Sequence, residues 1–173
     1  MFSPTLRLIL IAVFLIGGFA ALFAQLGAYI VIAFFMTAII LLLGHFRHGP
    51  MLAILMALRK GKIGDAEQLL TSIKRPNWLS KRYQAYYYFS NSLVATHRQD
   101  TAAAIDFANL ALGLEQLHDK EKGILVYNLA RMAYQGNNFE TAQQHLSTLK
   151  GLSVDDLHLK KRVEELETAL QSK

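Results

Sequence analysis

Between Arg7 and Arg47 lie 39 consecutive residues without an Asp, Glu, Lys or Arg. No other feature restricts the fold of this chain as strongly. Only Gln25, Thr37 and His45 interrupt the apolar run. As a single helix it would measure about 58 Å at about 1.5 Å per residue. The hydrocarbon core of a bilayer is only about 30 Å thick and takes about 20 residues per span. The run therefore predicts two membrane spans, at about 8–24 and 28–44, broken at Gln25-Leu26-Gly27. Ala20, Ala24 and Ala28, with Gly17 and Ala21 beside them, predict close approach of the two helices. A cleaved signal peptide is the rival reading: Arg7, the apolar stretch 8–16 and Gly18-Phe19-Ala20 fit its three regions, and the second span would then remain as the anchor.

The run accounts for an unusual composition, with 53% of the 173 residues apolar and 18% charged. Ordinary domains carry about 25% charged residues, so disorder, a coiled coil and a nucleic-acid tail are excluded as the main character of the chain. With no cysteine there is no disulfide framework, thiolate metal site or cysteine nucleophile.

Basic residues follow the run closely. Arg47, Arg59, Lys60, Lys62, Lys74, Arg75, Lys81 and Arg82 stand against two acids, Asp65 and Glu67, over residues 45–82. Residues 83–173 carry nine basic and eleven acidic side chains. Positive flanks stay in the cytoplasm, so the expectation is an integral protein of a bacterial inner membrane with both termini cytoplasmic. Juxtamembrane cations also predict contact with an anionic lipid surface. No basic face continues beyond residue 82, so nucleic acid is not an expected partner.

From residue 50 onward apolar residues recur every three or four positions, the helical period. Three segments look alike: Lys60-Gly61-Lys62-Ile63-Gly64-Asp65-Ala66, Arg98-Gln99-Asp100-Thr101-Ala102-Ala103-Ala104 and Gly136-Asn137-Asn138-Phe139-Glu140-Thr141-Ala142. Ala66, Ala104 and Ala142 are 38 residues apart each time. Equal spacing of a turn, a helix start and an alanine is the mark of a repeat.

These segments resemble tetratricopeptide (TPR) repeats, which are helix–turn–helix units with small residues at the helix crossing. The resemblance is best over 123–156, on Leu129, Ala130, Phe139 and Ala142. Over 85–118 it rests on Ser92, Ala104, Ala108 and Ala111, and over 47–80 on Gly61 and Ala66. Pro50 and Ile54 depart from the pattern, as does a period of 38 against the family's 34. The resemblance implies an α-solenoid of about three helix hairpins. Leu159, Val163, Leu166 and Leu170 form one apolar stripe opposite Lys160, Lys161, Arg162, Glu164, Glu165 and Glu167, which predicts a capping helix over 154–171. Ser153 is its expected cap, with Asp155 and Asp156 in the first turn. The expected class is all-α, with a hairpin domain over 1–46 and a TPR-like domain over 47–173. Two spans followed by repeats are similar in layout to HemY-type bacterial membrane proteins.

No catalytic pattern is present. There is no glycine-rich phosphate loop and no Gly-x-Ser-x-Gly elbow. Of the six histidines only His45 and His48 share a helix face, without Cys or carboxylate to complete a metal site. The chain is accordingly expected to be no enzyme and to hold no cofactor or metal. The resemblance implies a groove lined by Tyr86, Phe89, Ser90, Leu93 and His97 from one unit and Tyr127, Asn128, Arg131, Tyr134 and Gln135 from the next. The carboxylate clamp of chaperone-binding members is missing, since its places hold Met51, Leu55, Ser90, Ile124 and Asn128. The expected function is a membrane-anchored scaffold binding a protein or peptide in that groove. The alternative is an accessory subunit of a membrane complex, contacted through the hairpin.

Overall fold

The computed structural model describes residues 4–25, 27–48 and 50–171, apart from the side chains at 4, 5, 7, 8 and 43–48. Within them every regular element is helical: α1 (Pro4–Phe23), α2 (Ala28–His48), α3 (Met51–Arg59), α4 (Ile63–Thr71), a 3-10 turn (Pro76–Trp78), α5 (Lys81–His97), α6 (Thr101–Gly113), α7 (Asp119–Gln135), α8 (Phe139–Lys150) and α9 (Leu157–Gln171).

Helices α1 and α2 form a hairpin with its break where the sequence places it. Gln25 closes α1 at φ 55° and donates its N–H to Leu22 O at 3.1 Å. The crossing leaves out Ala20, Ala24 and Ala28, which are exposed, and uses the expected Gly17 and Ala21. It is built on Gly17, Gly18 and Ala21, with Ala38 buried on α2. A Cβ on Gly17 would stand 2.7 Å from the Phe34 ring, and one on Gly18 3.2 Å from the Phe35 ring. Glycine leaves the space each ring fills. Phe14 meets Phe34, and Phe19 meets Phe35 edge-on at 5.5 Å.

The expected membrane spans require correction. Among the described residues no helix is long and apolar enough to cross a membrane. The spans at 8–24 and 28–44, the integral inner-membrane location and the cytoplasmic placing of both termini are not upheld.

Beyond the hairpin the chain is a solenoid-like stack of helix pairs, α3–α4, α5–α6 and α7–α8, closed by α9. The 38-residue period survives down to single hydrogen bonds. Helices α3, α5 and α7 end at Arg59, His97 and Gln135. Each is followed by one residue in the left-handed region: Gly61 at φ 70°, Gln99 at 63° and Asn137 at 59°. The N–H groups of Lys62, Asp100 and Asn138 then bond to the carbonyls of Ala57, Ala95 and Ala133 at 2.9–3.0 Å. Those of Gly61, Gln99 and Asn137 bond to Leu58, Thr96 and Tyr134. This is the Schellman closure of a helix C-terminus, three times over. Asp100 and Asn138 cap the next helices, their side chains accepting from Ala103 N–H and Thr141 N–H.

The returning helices α4, α6 and α8 bring Ala66, Ala104 and Ala142 to the crossing, and all three are fully buried. Opposite them, again 38 residues apart, stand Ile54, Ser92 and Ala130, also fully buried. Small side chains let the backbones approach, and Ser92 Oγ–H donates to Ala104 O at 2.9 Å across the crossing. Helices α5 and α7 have 17 residues each, which helps to make the period longer than 34.

Helix α7 joins two cores. Leu125, Leu129 and Met132 belong to the cluster that includes α3 to α6, while Val126 and Ala130 belong to the one with α8 and α9. Gly123 lets the end of the stack close, since a Cβ there would stand 2.8 Å from Val154. Helix α9 begins at Leu157 rather than at 154, and its cap is Asp156 instead of Ser153: Asp156 Oδ1 accepts from the N–H groups of His158 and Leu159. Lys120–Asp156 at 2.9 Å and Lys150–Glu167 at 2.8 Å tie this end to α7 and α8.

Candidate binding surface

The expected groove residues fall into two groups. Tyr86, Phe89 and Ser90 are buried, and Ser90 Oγ–H donates to Tyr86 O on its own helix. Leu93, Tyr127, Asn128, Arg131 and Tyr134 are half-buried, while His97 and Gln135 are exposed. Tyr127 and Tyr134 pack on the α7–α9 core, and Tyr134 also meets Phe139 across the α7–α8 turn at 5.7 Å. The aromatic run from Tyr83 to Phe89 is therefore divided. Phe89 and Tyr86 point inward and meet edge-on, whereas Tyr88 stacks on Phe107.

Tyr86 anchors a polar network between α5 and α7. Burial pushes its hydroxyl above the usual tyrosine range; the Glu121 carboxylate adds to this, and a hydrogen bond from Arg82 works against it. Arg82 also meets His118 Nε2 at 2.9 Å. Glu121 Oε2 is enclosed without a hydrogen-bond partner among the described residues.

Three clefts open on the stack. The first, between α4, α5 and α6, has a volume of about 210 Å³ and includes Tyr87, Asn91 and Phe107; Arg98 pairs with Glu67 at its edge. The second, about 770 Å³ and mostly apolar, runs between α5 and α6 past Tyr88, Leu110, Gly113 and Leu114. Leu110 is 49% exposed there. The third, about 390 Å³, lies between the α5–α6 turn and the end of α7, where Thr96, His97, Gln99 and Thr101 face Arg131 and Gln135 over Met132. Of the ten residues expected to line the groove, His97, Arg131 and Gln135 line the third cleft, and none lines the other two. The α5–α6 cleft gave no sequence signal, because Leu110 and Tyr88 look like any other apolar position of a helix.

The basic residues do not form one surface. Arg59, Lys60 and Lys62 surround the α3–α4 turn, with Lys62 paired to Asp65 at 3.7 Å. Lys74, Arg75, Lys81 and Arg82 stand at the opposite end of α4, around the 3-10 turn. Trp78 is 57% exposed there, with the Arg75 guanidinium 4.8 Å from its ring centre. The Arg47 side chain lies outside the described residues, as do those of His45 and His48.

Among the described residues no group of three or more His, Cys, Asp or Glu could share a metal ion. Comparison with protein-family models, with curated proteins and with solved structures finds no match.

Proposed function

We propose that this chain is a non-enzymatic scaffold of TPR-like repeats that binds a protein or peptide partner. The observation carrying this reading is the repeated unit itself: three turns closed by equivalent hydrogen bonds, each bringing a buried alanine against the preceding helix. Such units cannot bury an apolar face alone and stack into extended surfaces suited to protein partners. The α5–α6 cleft with half-exposed Leu110 fits an apolar anchor, and the α7 cleft fits a polar one. The end bearing Lys74, Arg75, Lys81 and exposed Trp78 suits an anionic lipid surface, cations and an indole being matched to headgroups.

Photo-cross-linkers placed at positions 110 and 131 of the full chain test the scaffold. Capture of one discrete partner from both positions, and not from exposed Gln143 on α8, is the expected outcome. Equal capture from all three overturns it.

A second reading is favoured by the hairpin, on which Ile9, Ile16, Phe19, Phe23, Ile32 and Ile40 are exposed. There the hairpin, and not the stack, contacts a larger assembly. Cross-links from position 16 alone would support this reading, and cross-links from 110 and 131 alone would sink it.

A further inference from the structure

We propose that the cleft between the α5–α6 turn and α7 is a carboxylate site, with Arg131 as the cation that holds an acidic side chain of a bound peptide. This deepens the scaffold reading and rests on it.

The charges around the cleft are sorted. Arg98, one residue before its rim, is turned away to Glu67, and Asp100 spends its carboxylate capping α6 through Ala103 N–H. Arg131 remains. Its Nε is enclosed without a hydrogen-bond partner, and it enters no ion pair among the described residues. No acidic side chain lines the cleft. A half-buried guanidinium in such surroundings lacks the counter-charge that arginines are ordinarily given.

Beside His97, the Thr101 hydroxyl and the amides of Gln99 and Gln135 face it as neutral groups able to donate, while the Thr96 hydroxyl is already given to Ser92 O. Thr101 opens α6, so the positive end of that helix lies at the same edge. One planar fork of N–H donors with neutral donors around it matches one carboxylate. A phosphate dianion would need a second full cation, and neither Lys nor another Arg lines the cleft. A volume of about 390 Å³ admits one or two side chains.

The test follows the arginine side-chain Nε–H resonances of the full chain by NMR, an enclosed Nε–H being slow to exchange. The probes are an N-acetylated, C-terminally amidated Ala-Glu-Glu-Ala peptide, its Ala-Gln-Gln-Ala counterpart, acetate and inorganic phosphate, all at matched ionic strength. A saturable shift of the Arg131 signal with the Glu peptide is expected. The Gln peptide should bind at least about tenfold more weakly, and Arg131→Gln should weaken the Glu peptide by a similar factor, as read from shifts of neighbouring amides. Gln135→Ala, at an exposed position, should weaken binding less while leaving the remaining amide spectrum in place. Equal shifts with both peptides overturn the proposal, and so does a stronger response to phosphate than to acetate. Partner capture from position 110 without any acidic preference sinks the carboxylate site alone, whereas loss of all capture sinks the scaffold.

Discussion

The hairpin and the repeat stack are both pairs of antiparallel helices, yet they place their apolar side chains in opposite directions. In α5 to α8 the small residues Ala104, Ser92, Ala142 and Ala130 are wholly buried, and large apolar residues such as Leu125 and Leu146 fill the spaces beside them. In α1 and α2 the glycines admit Phe34 and Phe35 at one seam, while Ile9, Ile16, Ile32 and Ile40 face outward. Close helix approach does not by itself make a core. A core needs large side chains on both partners turned toward one another. The stack has them because each 38-residue unit presents an apolar face to the next. Among the described residues the hairpin has one main seam, between its own two helices.

The comparison breaks most readily at Leu125. Leu125→Ala removes a fully buried side chain of the larger cluster and is expected to cost about 2–5 kcal/mol. The same truncation at Ile16, 69% exposed, should stay within about 0.5 kcal/mol. Urea unfolding of both variants measures the difference, and equal costs would mean that the hairpin surface is covered as tightly as the core.

Gly17→Val tests the seam. Its Cβ would press on the Phe34 ring, and overpacking of this kind costs about 1–3 kcal/mol. The loss should be confined to the hairpin, so hydrogen exchange in α1 and α2 should quicken while that in α5 to α8 is unchanged.

The equivalent turns give a graded series. Gln99→Gly should stabilise by up to about 1 kcal/mol, since glutamine bears the left-handed conformation poorly. Asn137→Gly should gain less, asparagine being more at ease there. Gly61→Ala should lose about 1 kcal/mol. Thermal melts rank the three, and a different order would break the equivalence of the repeats.

The smallest effects are those of pH. Burial holds the His145 ring below the ordinary histidine range, so its neutral form is favoured by folding. The unfolded chain then binds the proton more readily, and stability falls as pH drops through about 6.5, the ordinary histidine value. His145→Gln should flatten that slope. Asp156 lies below its usual range because Lys120 and the α9 backbone hydrogen-bond its carboxylate. Its contribution is present above the ordinary aspartate value and fades only at lower, acidic pH. Two separate steps on acidification, the first removed by His145→Gln and the second by Asp156→Asn, are the expected record.

Much of the stack was legible from residue order. Ala66, Ala104 and Ala142 were identified by spacing alone, and the turns before them follow from Gly, Asn and Asp at fixed offsets. These are local signals, since a Schellman closure and an N-cap are decided within about six residues. The binding surface was not legible to the same degree. Tyr86 and Phe89 occupy positions that face a groove in the repeats this sequence resembles, but here both are buried. Asp156 displaced Ser153 as the cap because Lys120, on a different helix, pairs with it. The α5–α6 cleft depends on how far two helices splay, which no single segment encodes.

By itself, the sequence determined the helical class, the position of the turn inside each helix pair of the stack and the 38-residue unit, because helix ends and turns are governed by neighbours in the chain. Only the tertiary structure decided which aromatics are core, which described face of the hairpin is left uncovered, and that Arg131 stands without a counter-charge beside a cleft. Those outcomes depend on packing between residues far apart in sequence, where burial and desolvation are set by the partners that arrive.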